Sequence, residues 1–80
     1  MPTEILLPLP PYITPSLVTR VSDQATVQVI TVAEAARLAA VSKKTIETWI
    51  GSGKLAICYT PDSEVRVFVD RLWEILEKRP

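Results

Sequence analysis

Two helix starts close together, Thr31 and Ser42, with a glycine stop at Gly51-Ser52-Gly53, leave room for only two short helices and a tight turn. Thr31 followed by Glu34 is a capping box: the hydroxyl takes the amide of Glu34, and the carboxylate reaches back to the amide of Thr31. Ile30 before the cap and Ala35 after it hold hydrophobic-staple positions. Val32 to Ala39 is rich in strong helix formers and predicts a helix of about two turns, ending near Ala40. Ser42 is a good N-cap for a second helix. In that helix Ile46, Trp49 and Ile50 recur on the inner face, while Lys43, Lys44, Glu47 and Thr48 face outward. Such a pair is a helix-turn-helix.

Beyond it, Leu55–Tyr59 and Val65–Val69 are β-rich runs on either side of a turn at Pro61-Asp62, which predicts a hairpin. Asp70 is placed to cap a last helix carrying Leu72, Trp73, Ile75 and Leu76. Glu74 near its start and Lys78 and Arg79 near its end suit the helix dipole, and Pro80 ends it. Before the pair, Thr26–Ile30 alternates in period two and predicts a short strand. Residues 1–22 differ in character, because five of the seven prolines (Pro2, Pro8, Pro10, Pro11, Pro15) fall there. Proline removes a backbone donor and fixes φ, so the expectation is an extended, partly polyproline-like arm. Its Ile5, Leu6, Leu7, Leu9, Tyr12 and Ile13 either lie across the domain's own core or bury against another molecule. The expected fold is thus α+β but mainly α. It is a small winged helix-turn-helix (helix-helix-β-hairpin-helix) over residues 26–80, with an extended proline-rich N-terminal arm over residues 1–25.

Eighty residues allow one domain and no deep cleft. The chain has no histidine, and Cys58 is its one cysteine, which suits a reducing cytoplasm. No apolar stretch is long enough for a membrane span, and no secretory signal is expected at the N-terminus. No paired-carboxylate, nucleophile-base or metal constellation stands out, so the chain is expected to be no enzyme, with no cofactor and no small-molecule substrate. Gly51-Ser52-Gly53-Lys54 fails as a phosphate loop, since Leu55 stands where Ser or Thr is required and Thr48 where the first glycine belongs. Trp49 and Trp73 read as core, and Cys58 as a small buried hydrophobe. Net charge is zero, but its distribution is uneven. Residues 31–55 hold Arg37, Lys43, Lys44 and Lys54 against Glu34 and Glu47, a net of +2, while the segments on either side are each −1.

The run from Thr31 to Ile46, continued by Trp49 to Leu55, resembles the excisionase-like, MerR-like helix-turn-helix family. The family pattern is roughly T-x-x-E-A-A-x-L-x-x-V-S-x-x-T-[VI]-x-x-W-I-x-x-G-[KR]-L. Arg66 to Leu72 looks like the arginine, short strand and capped helix that follow the family's hairpin. The resemblance covers about residues 30–76. It implies a small winged helix-turn-helix that binds specific double-stranded DNA, as a recombination directionality factor or a transcriptional regulator. The chain departs from the pattern in having Ala40 where relatives have glycine. It has Glu47-Thr48 where many have an aromatic-arginine pair, and Asp62 and Glu64 where the wing is often basic.

The physics of the second helix fits that implication. A helix of about ten residues is ~15 Å long and spans one major groove, with free amides and positive dipole at its start. Lys43, Lys44, Glu47 and Thr48 are the expected base-edge readers, and Ser42, Thr45, Lys54 and Arg66 the expected phosphate contacts. Binding as several copies is expected, with the apolar arm as the copy-to-copy contact. The alternative is an interaction module without autonomous DNA binding, which the zero net charge, acidic wing and apolar arm favour.

Overall fold

The computed structural model describes residues 3–78. Three strands come first: β1 (Glu4–Ile5), β2 (Ser16–Thr19) and β3 (Thr26–Ile30). Two helices follow, α1 (Val32–Ala39) and α2 (Lys43–Gly51), then β4 (Ile57–Tyr59), β5 (Val65–Phe68) and α3 (Val69–Glu77).

All five strands join one mixed sheet whose centre is β3. β2 runs antiparallel along one edge of β3, from Ser16 opposite Val29 to Thr19 opposite Thr26. Because β2 occupies that edge, β1 and β5 share the other one, end to end. β1 lies parallel beside Thr26 and Val27, and β5 antiparallel beside Val29 and Ile30. β4 is outermost, against β5.

Alternation along β3 sorts the core into two parts. Ile30 and Val67 face the helices, and with Ala35, Ala36, Ala39, Ile46, Leu55, Val69 and Leu72 they form the main core. On the other face Val27, Val29 and Phe68 pack with Ala25, and Ile5, Val18 and Cys58 lie against them. Every buried residue of the three helices belongs to the first cluster.

The winged helix-turn-helix expectation fails here, and so does the extended arm. The chain is strand-rich α+β, with three strands ahead of the first helix, and the hairpin is no free wing because β5 is stitched to β3. Proline does exclude strand, but only where it stands. Pro8, Pro10 and Pro11 lie in the connection after β1 and Pro15 just before β2, so the strands fill the proline-free intervals. Of the two fates open to the arm's apolar side chains, Leu7, Leu9 and Ile13 take the chain's own core, and Ile13 is 5% exposed. Gln28 is buried on the helix face of β3, and its amide is satisfied by the backbone of Leu7. The Leu7 amide donates to Oε1 at 2.8 Å and Nε2 donates to the Leu7 carbonyl at 3.1 Å.

Asp70 does not cap α3. The N-cap is Phe68, which has no side-chain bond, and Asp70 sits in the first turn. There it accepts from Arg20 Nη1 at 2.8 Å. Arg20 also donates to Asp23 at 2.7 Å, and its guanidinium lies 5.4 Å from the ring centre of Phe68. This buried arginine ties the β2–β3 turn to α3. Arg79 and Pro80, expected to finish that helix, lie outside the described residues, as does Pro2.

Candidate nucleic-acid interface

The capping box forms as expected, with the Glu34 amide on Thr31 Oγ1 at 3.1 Å and Glu34 Oε1 on the Thr31 amide at 3.0 Å. The other carboxylate oxygen accepts the Thr14 amide at 3.1 Å, so the N-terminal segment is pinned to the start of α1. Burial alone would raise the pKa of Glu34. The amides of Thr31 and Thr14, the Thr31 hydroxyl and the charge of Arg66 outweigh it, and the net shift is downward.

α1 ends at Ala40, whose φ of 58° is left-handed, and the Val41 amide closes the turn on the Ala36 carbonyl at 3.0 Å. Here the backbone asks for the glycine that the sequence lacks. Ser42 then caps α2 by accepting the Thr45 amide at 3.2 Å. The next two amides, of Lys43 and Lys44, have no intrahelical partner, as the first turn of any helix requires. At the far end Gly53, with φ of 81°, lets the amides of Lys54 and Leu55 turn back onto the Trp49 carbonyl.

Ile46 is fully buried on this frame, and Trp49 and Ile50 pack against the same core. That fixes the rotation of α2 and leaves Ser42, Lys43, Lys44, Glu47 and Thr48 exposed, with Thr45 half-buried. Lys54 is exposed just past the stop. Seven of the eight residues singled out in the sequence therefore lie on or directly beside α2.

Arg66 is the exception. Its strand partner is Cys58, and alternation puts it on the sheet face of Phe68, away from Ile30 and the helices. There it bonds Glu64 at 2.8 Å and its own neighbour's carbonyl, that of Val65. The hairpin turn itself is as expected, with the Ser63 amide on the Thr60 carbonyl across Pro61 and Asp62.

The hydroxyls of the candidate face are partly committed. Ser42 Oγ and Thr45 Oγ1 share a hydrogen bond at 3.0 Å, and Thr48 Oγ1 donates to the Lys44 carbonyl at 2.9 Å. The charges separate more sharply. Arg20, Arg66 and Arg71 each hold a carboxylate, and Arg37 stacks 4.3 Å from the ring centre of Tyr12. Among the described residues Lys43, Lys44 and Lys54 form no ion pair, and neither does Glu47.

Cys58 is half-buried, and burial pushes its thiol up against the opposing charge of Arg66, so it is a poor nucleophile. Trp73 is half-buried on α3 and does not belong to either core cluster. Among the described residues no group of three potential metal ligands comes together, and no helix is long and apolar enough to cross a membrane. Sequence reasoning missed the Arg20 cluster, the Tyr12–Arg37 stack and the Thr14–Glu34 bond. Apart from the Arg20–Asp23 pair, all three join residues far apart in the chain, and no local pattern announces them. Compared with protein-family models, with curated proteins and with solved structures, the chain finds no match.

Proposed function

We propose that this chain binds double-stranded DNA through α2, acting by recognition and without catalysis. One observation carries the reading: of the four lysines without an ion pair among the described residues, Lys43, Lys44 and Lys54 gather around one helix with free N-terminal amides and Lys78 alone lies apart, at the end of α3, whereas the described arginines are engaged elsewhere. A duplex offers that helix a groove of matching width, and phosphates for its amides and lysines. Lys43, Lys44, Glu47 and Thr48 face base edges, and Ser42, Thr45 and Lys54 lie at phosphates. Arg66, already neutralised by Glu64, contributes little. The uses that fit are recombination directionality or transcriptional regulation in the cytoplasm. Several copies bind side by side, because three lysines give each copy a weak hold. With Leu7, Leu9 and Ile13 turned inward, contact between copies falls to the exposed Leu17 and Val21 of the N-terminal segment.

A second reading, an interaction module for protein, draws on the same exposed apolar residues and on the zero net charge. Salt separates the two. Binding of the full chain to random duplex should weaken as salt rises, with a log-log slope of about −0.9 per phosphate contact. Lys43→Ala with Lys44→Ala should lower low-salt affinity roughly tenfold or more, and Lys54→Ala should flatten that slope by about 1. Absence of any duplex binding at low salt would falsify the proposal and favour the protein partner.

A further inference from the structure

We infer that Glu47 makes the α2 face selective for cytosine, by accepting from the 4-amino group that this base presents in the major groove. The inference rests on the DNA-binding reading above. Helical spacing sets Glu47 one turn beyond Lys43 and Lys44 and beside Thr48, in the middle of the exposed stripe. Its carboxylate is exposed and, among the described residues, free of ion pairs and hydrogen bonds, even with lysines one turn away. The hydroxyl proton of Thr48 is already given to the Lys44 carbonyl, so Thr48 meets the groove as an acceptor. The stripe therefore offers two donors, the lysines, and two acceptors, Glu47 and Thr48.

Base edges differ in how they answer such a set. Guanine and thymine present no amino donor in the major groove. Adenine presents one, but its N7 acceptor lies beside it and repels a carboxylate. Cytosine presents its amino group with no acceptor on its own edge, and its paired guanine supplies O6 and N7 for a lysine. A C·G pair thus matches Glu47 and a lysine together. The carboxylate also works by exclusion, since on any site without a donor it lies uncompensated in a field of phosphates.

The test is selection of bound sites from a random duplex pool by the full-length chain and two variants. The Glu47 side chain is exposed and has no ion pair among the described residues, so both variants should fold. The wild type should enrich cytosine at one position of the site. Glu47→Gln should move that position to adenine, whose N6 and N7 a glutamine amide matches. Glu47→Ala should lose about tenfold of the discrimination there while holding random duplex at least as tightly as the wild type. The same base enriched by wild type and Glu47→Gln overturns the role of Glu47 and leaves DNA binding standing. No duplex retained by the wild type at low salt overturns both.

Discussion

The helical pair, Thr31 to Gly53, and the segment before it, residues 3–25, are ordered by opposite means. In the pair nearly every decisive bond spans five residues or fewer: the capping box, the Ser42 cap, the Ala40 turn and the glycine stop. In the N-terminal segment they span much more, from Leu7 to Gln28, Thr14 to Glu34 and Arg20 to Asp70. The first region is specified by its own residues and the second by the rest of the protein. The proposed DNA-binding surface belongs to the first, while Leu7, Leu9, Ile13 and Thr14 of the second pack on the helical core or bond to the start of α1.

The N-terminal segment is most vulnerable at Arg20. Removing its guanidinium leaves Asp70 buried against an empty space, with one carboxylate oxygen already lacking a partner. Arg20→Ala should destabilise the fold by about 3 kcal/mol, read from a urea midpoint, because an unpaired buried charge costs more than the pair contributed. Lys43→Ala with Lys44→Ala should stay within about 0.5 kcal/mol per site of the wild type in the same experiment. Equal losses from the two changes would remove the distinction between residues that brace the fold and residues that only lie on its surface.

Acid weakens two of the carboxylate ties. The Asp23 carboxyl is held at about 2, first by its hydrogen bond with Arg20 and then by the Ala25 amide, and Glu34 is also depressed. Both groups favour the folded state while ionised. Their contribution is full above the ordinary carboxylate range and is lost as pH falls through the depressed values. Stability should thus be level from neutral pH to about 5 and decline steadily toward about pH 2. In Arg20→Ala the share due to Asp23 should shrink to what the Ala25 amide maintains, making the decline shallower. A flat profile down to pH 2 would count against both carboxylates.

The smallest effect is expected at Ala40. Left-handed geometry costs alanine more than the extra freedom of glycine costs the unfolded chain, so Ala40→Gly should stabilise by about 0.5 kcal/mol. A loss of stability instead would mean that the methyl group contributes packing.

The same division governs what can be read from the residues alone. Both caps, the inner and outer faces of α2, the strand at Thr26–Ile30 and the turn at Pro61-Asp62 rest on short-range chemistry, and they form where the pattern sets them. The five-stranded sheet does not follow from any local rule. β1 has two residues and β2 four, too short for periodicity to register, and nearby prolines draw attention away from both. Asp70 looks like a cap because capping is what an aspartate before a helical run usually does. Its actual partner is fifty positions earlier. Arg66 looks like a wing cation only while the hairpin is taken to be free. Once β5 joins β3, its side of the strand is fixed, and Glu64, just ahead of that strand, holds it.

The shared edge of β3 has a consequence in time. As the chain is synthesised, β1, β2 and β3 emerge together, yet the stretch of β3 at Val29 and Ile30 waits for Val67 and Phe68, made much later. Both helices are complete before that rail is filled, with Ile46 and the alanines of α1 still lacking the Val67 side of their floor. The residues of the lysine face are thus made before the strand that supports them, and a nascent chain stalled before Val65 would carry the α2 sequence without the support that orients it.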